Sequence, residues 1–179
     1  ILPALFLFLS CHLSAQKAEP KLQITPLTGN FYIFTTWSLY QETRYPANGM
    51  YVVTGNGVIM IDSPWDTTQF QPLLDSIWKR HQQKVVFCIA THFHEDRTGG
   101  LEYYRKQGIA TYTTRLTDSL SRVKGKPRAE HLLAADSTFD FRASSFEIFY
   151  PGPGHAPDNI VVWFPNEKIL YGGCLIKST

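Results

Sequence analysis

The chain is organised around Val85-Val86-Phe87-Cys88-Ile89-Ala90-Thr91-His92-Phe93-His94-Glu95-Asp96-Arg97-Thr98-Gly99-Gly100. The first six residues are apolar and rich in β-branched and aromatic side chains, the composition of a short buried strand. Histidines follow at 92 and 94 and a carboxylate at 96. The cluster therefore lies where a strand gives way to a loop, which is where α/β proteins place their ligands. Side chains two apart on an extended or tightly turning backbone point the same way. His92 and His94 can then share one metal ion, and Asp96 continues the row. Imidazole nitrogen suits zinc, and two or three such ligands leave a position for water. Gly99 and Gly100 allow a tight turn close to the site. A lone His-x-His would read as a solvated loop; the added Asp96 and glycine pair favour a metal.

Upstream, Asp66 to His81 has apolar residues at Phe70, Leu73, Leu74, Ile77 and Trp78, one stripe of a helix. Asp66 with Gln69 suggests a capping box. Met50–Thr54 and Val58–Asp62 form a hairpin across Gly55-Asn56-Gly57. Leu22–Thr25 and Phe31–Trp37 read as strands, and residues 38–48 as a loop. Downstream, helices are expected over Thr98–Gln107 and Leu116–Val123, with a strand over Ile109–Tyr112 and a solvated break at 124–128. Strands return at 138–141, 146–150, 159–164 and 168–171. Strands, then helices between strands, then strands again predict two sheets packed face to face with helices outside, a layered α/β fold.

At 179 residues one domain is expected, large enough for a proper core. A net charge of +2 without a basic patch of the nucleic-acid-binding type points away from nucleic acid. Residues 1–10 form an apolar run too short for a membrane span, followed by Leu13-Ser14-Ala15, and read as a partial signal peptide over 1–15. Phe8-Leu9-Ser10-Cys11 is a poor lipobox, so periplasmic export without a lipid anchor is expected. Cys88 reads as a small core residue and makes no evident disulfide framework with Cys174.

Further chemistry lies downstream. His155 sits in Pro151-Gly152-Pro153-Gly154-His155-Ala156-Pro157-Asp158-Asn159, a turn at a strand end, and is the best third partner for His92 and His94. His12, His81 and His131 read as leader, structural or exposed. Cys174 lies on the glycine turn Gly172-Gly173-Cys174 after a strand, where it is either a buried thiol or, with Asp96, a second metal site. Lys177 is either a solvated lysine or an ammonium near the metals.

His92-Phe93-His94-Glu95-Asp96-Arg97, with Gly154-His155 and Gly173-Cys174-Leu175-Ile176-Lys177, resembles the class B metallo-β-lactamases, subclass B1. The likeness runs through the whole mature chain. The wider superfamily, glyoxalase II thioesterases among it, usually has His where this chain has Arg97 and Asp where it has Cys174. The resemblance implies a four-layer αββα sandwich over 16–179. It implies His92, His94 and His155 on a first zinc, and Asp96 and Cys174 on a second. It also implies Lys177 on the substrate carboxylate, a flap at 38–45, Asn159 bracing the His155 turn and Arg97 supporting the second zinc. A family histidine beyond the cysteine has no counterpart before Thr179, so the sequence reads as partial, truncated at the C-terminus.

The implied activity is hydrolysis of the β-lactam amide of penicillins, cephalosporins and carbapenems by a zinc-bound hydroxide, oriented by Asp96, with antibiotic resistance as its consequence. The implied protein is a monomer acting on a small molecule. A thioesterase or lactonase of the same fold, or a non-catalytic zinc-binding fragment, are the rival readings.

Overall fold

The structure, a computed structural model, describes residues 21–141 and 144–176. The leader read at 1–15 and Lys177 lie outside the described residues. The first sheet has seven strands in sequence order: β1 (Leu22–Thr28), β2 (Phe31–Tyr40), β3 (Thr43–Thr54), β4 (Gly57–Ile61), β5 (Val85–Ile89), β6 (Ala110–Thr114) and β7 (His131–Leu133). β1 to β4 are antiparallel, and β4 to β7 are parallel. The second sheet is antiparallel, in the order β11 (Ile169–Tyr171), β10 (Val161–Phe164), β9 (Ser144–Phe149), β8 (Ser137–Phe141). The helices are α1 (Phe70–His81), α2 (Glu95–Thr98), α3 (Leu101–Lys106) and α4 (Arg115–Val123).

Strand alternation divides the core in two. Ile59 and Ile61 of β4 face the second sheet with Phe31, Met50, Val52, Phe87, Phe146, Val162 and Phe164. Val58 and Met60 face the other way, against Phe70, Leu73 and Ile77 of α1 and Leu101 and Tyr104 of α3. The described residues thus stack as helix, sheet, sheet, the layered α/β order that two-sided apolar strands require. Between Val58 and Ile59 the β4–β5 register slips, so Val85 faces the helices while Phe87 faces the sheets.

Four local expectations change. The loop expected at 38–48 is instead a continuous hairpin, pairing Trp37 with Pro46, Ser38 with Tyr45, Leu39 with Arg44 and Tyr40 with Thr43. Its turn residues Gln41 and Glu42 have φ of 47° and 64°, the left-handed geometry that matches strand twist. The β3–β4 pairing begins at Met50, so at Pro46 a missing N–H breaks no ladder to β4.

The capping box at Asp66 is replaced by a 3-10 turn, Thr67–Gln69: Asp66 accepts from the Thr68 amide and hydroxyl, and the Gln69 amide turns to Thr68 Oγ1. The helix expected over Thr98–Gln107 is the shorter α3, Leu101–Lys106, and a separate helical turn, α2, precedes it directly after His94. β7 was not expected; three residues at a polar-to-apolar transition carry little strand signal, and only the open edge of β6 makes them one.

Gly49 stands opposite Phe34, whose ring lies across it: a Cβ there would fall 2.0 Å from Phe34 Cζ. Gly49→Val should therefore displace a buried ring and destabilise the protein by about 1–3 kcal/mol in urea unfolding. An unchanged midpoint would show that Phe34 has room to move.

Candidate metal centre

Three loops meet at one end of the sandwich. The first leaves β5. Asp62, just beyond β4, donates its backbone N–H to Ile89 O (2.7 Å), and its carboxylate accepts from Thr91 N and Oγ1 (2.8 and 2.9 Å). This fixes the chain one residue before His92. His94 then takes extended φ/ψ as the N-cap of α2, with its carbonyl accepting from Thr98 N (2.9 Å). The second loop carries His155 and is tied to the first by Ile160 N–H donating to Thr91 O (3.0 Å). The third, after β11, turns at Gly173 with φ +54°, and a Cβ there would meet Thr91 Oγ1 at 3.0 Å. Glycine lets this turn lie against Thr91 and brings in Cys174.

The side chains converge. His92 Nε2 lies 3.1 Å from His94 Nδ1, which lies 3.1 Å from His155 Nε2. Ligand atoms of His92, His94 and Asp96 lie within 4.8 Å of one another, as do those of His92, His155 and Cys174. Cys174 Sγ is 3.5 Å from Asp96 Oδ2. His92 is buried, His94, Asp96 and Cys174 are half-buried, and His155 is exposed. Behind the cluster, buried Asn159 places its amide nitrogen 3.2 Å from His92 Nδ1 and accepts from Ala156 N (2.5 Å). It braces both the His155 turn, as the resemblance implies, and His92, which was not expected.

Beneath lies a charged network that the sequence did not announce. Arg97, only 3% exposed, donates through Nη1 to Asp62 Oδ2 (3.1 Å), Tyr171 OH (3.2 Å) and Asn48 O. Its Nη2 reaches Cys174 Sγ (2.8 Å) and Asp96 Oδ2 (3.1 Å). Tyr171 OH also lies 2.8 Å from both Asp62 Oδ2 and Asn48 O. Arg97 thus stands behind Asp96 and Cys174. Asp62 and Tyr171 were missed. The available signal was a lone carboxylate ending the apolar run Val58-Ile59-Met60-Ile61.

Burial pushes His92 down to about 2, with the nearby charges of Arg97, His94 and His155 adding to the effect, so its ring is neutral at physiological pH. Burial raises the Cys174 thiol, while Arg97 pulls it down. Burial also raises Asp62, opposed by Arg97 and by bonds from Thr91 and Tyr171.

The donor chemistry fits a metal. His94 Nδ1 faces two imidazole nitrogens, an arrangement in which a cation could take all three lone pairs. With a cysteine sulfur and a carboxylate beside them, the donors are of the type zinc prefers. The other described histidines are elsewhere: His81 Nε2 is 3.1 Å from Tyr51 OH, and His131 packs on Tyr112.

A family model described as the metallo-beta-lactamase superfamily matches residues 43–119. The chain is 46% identical over 162 residues to a metallo-beta-lactamase type 2 of Elizabethkingia meningoseptica, covering 90% of this chain. It is 38% identical to metallo-beta-lactamase IND-1 of Chryseobacterium indologenes, covering 96% of this chain and 72% of the relative. The crystal structure of metallo-beta-lactamase IND-7 superposes with a TM-score of 0.84 at 38% identity, over 88% of this chain and 73% of that one. With the same fold and 38–46% identity, the chain belongs to the metallo-β-lactamase family. It spans 65% of the length of the Elizabethkingia relative.

Arg97→Ala should strand the buried Asp62 carboxylate and cost about 3–5 kcal/mol in urea unfolding of the metal-free protein. Adding Asp62→Asn should recover part of that loss. Equal stability of Arg97→Ala and the parent would remove the pair from any structural role.

Proposed function

We propose that this chain is a zinc-dependent β-lactamase of subclass B1, exported to the periplasm without a lipid anchor and acting as a monomer. Its substrates on this reading are penicillins, cephalosporins and carbapenems. The observation that carries it is the convergence of three imidazole nitrogens beside the Asp96–Cys174 pair. The names of its relatives, all metallo-β-lactamases, support the substrate class.

On this reading His92, His94 and His155 hold one zinc ion, and Asp96 and Cys174 hold a second. When bound, zinc supplies Lewis acidity, acidifying water and polarising a carbonyl. The residues of the chain do the rest. Asp96 accepts a hydrogen bond from the attacking water and orients it. Arg97 offsets the two negative charges of Asp96 and Cys174 at contact distance, so both anions can sit in a half-buried place. Asn159 holds His92 from behind, fixing the ring that faces the other two. The β2–β3 hairpin carries Leu39, Tyr40 and Tyr45 exposed near its tip, an apolar surface suited to covering a substrate as a flap. Lys177 is the proposed partner of the substrate carboxylate.

Zinc-loaded protein should hydrolyse a carbapenem, lose that activity to a chelator and regain it with zinc. Folded, zinc-loaded protein that turns over no β-lactam would sink the reading. Asn159→Ala should weaken zinc binding by about 10–100-fold, read by chelator competition.

A further inference from the structure

The segment from α4 to the loop after it carries Arg115, Arg122, Lys124, Lys126 and Arg128 against two carboxylates, Asp118 and Glu130. It is built to hold those charges in place. Arg128 pairs with Asp118 through Nε and Nη2 (2.7 and 2.8 Å), folding the loop back on α4. Lys126 N–H donates to Ser121 O (2.8 Å), and Lys124 N–H to Leu120 O (2.9 Å). The loop also touches the site: Lys126 Nζ contacts Glu95 Oε1, and Glu95 lies in the chain between His94 and Asp96.

Setting Asp118, Glu130 and Glu95 against the five cations leaves a surplus of two positive charges beside the metal loop. Arg122 and Lys124 are exposed. Consecutive Cα atoms are about 3.8 Å apart, so Lys124 and Arg128 each lie within about 8 Å of Lys126 along the chain. That is close to one Debye length at physiological salt, so part of their field reaches the neighbourhood of Glu95. A fixed charge surplus at the edge of a concave site raises the local concentration of oppositely charged ligands and speeds their encounter.

We propose that Arg122, Lys124 and Lys126 form a cationic rim that steers small anionic ligands, carboxylate-bearing substrates in particular, to the centre formed by His92, His94 and His155. The rim acts on the approach of the ligand and makes no contact with the reacting atoms. This rests on the zinc centre proposed above, and its test does not require turnover.

The probes are two chelators of the zinc-loaded protein: pyridine-2,6-dicarboxylate, a dianion, and 1,10-phenanthroline, which is neutral. In Arg122→Glu/Lys124→Glu the second-order rate of zinc removal by the dianion should fall about three- to tenfold at low ionic strength. It should fall less in Arg122→Gln/Lys124→Gln, and the difference should fade at high salt. The rate with phenanthroline should not change in either variant. If both chelators slow together, or if neither slows, the rim does not steer and the proposal is overturned. If the rates behave as expected but no β-lactam is hydrolysed, the rim stands and the enzymatic reading fails.

Discussion

The contact between Asp62 and Arg97 ties together parts of the chain that no local structure would join. Asp62 follows β4, Arg97 lies in α2, Tyr171 ends β11 and Asn48 belongs to β3. All four meet in a buried patch under the metal loops. Two charges removed from water are tolerated because nearly every available donor and acceptor is used: Asp62 takes bonds from Thr91, Tyr171 and Arg97, and Arg97 spreads over five oxygen and sulfur atoms. A half-satisfied version of the same network would be worse than an apolar core. The pair therefore fixes where β4, α2 and β11 end relative to one another, and the three loops of the site start from those ends.

The sandwich sets the rest of the geometry. Parallel β4, β5 and β6 end on the same side, so the loop after β5 opens there. The second sheet delivers the loops before β10 and after β11 to the same end. Backbone bonds then close the gap between sheets, Ile160 to Thr91 being the direct one. Each histidine owes its place to a different device: His92 to the Asp62–Thr91 clamp and Asn159, His94 to its N-cap conformation, and His155 to the Gly154–Asn159 turn.

Charge is distributed to suit an anionic donor set. The neutral His92 imidazole occupies the deepest position, while the carboxylate and thiol share one guanidinium on the side toward β11. On the outer side, Glu95 meets Lys126 rather than facing the centre alone. The centre is thus flanked by cations that neither donate lone pairs nor compete for a metal.

Sequence by itself determined the layered α/β fold and the row His92, His94 and Asp96 with His155 as its third histidine, while Cys174 joined them only through the family resemblance. Histidines and a carboxylate spaced two apart at the end of an apolar run, with a glycine pair behind them, leave few conformations open. The apolar periods of α1, β4, β5 and β10 were equally plain, because burial on one or both faces writes itself into the residue order. Tertiary structure decided the remainder. The β2–β3 hairpin was hidden by Pro46, Asn48 and Gly49, turn-type residues that only a neighbouring strand and the Phe34 ring make extended. β7 exists because β6 offers an edge. Asp62 and Tyr171 gained their roles from Arg97, which lies 35 and 74 positions away, a relation that no local pattern encodes.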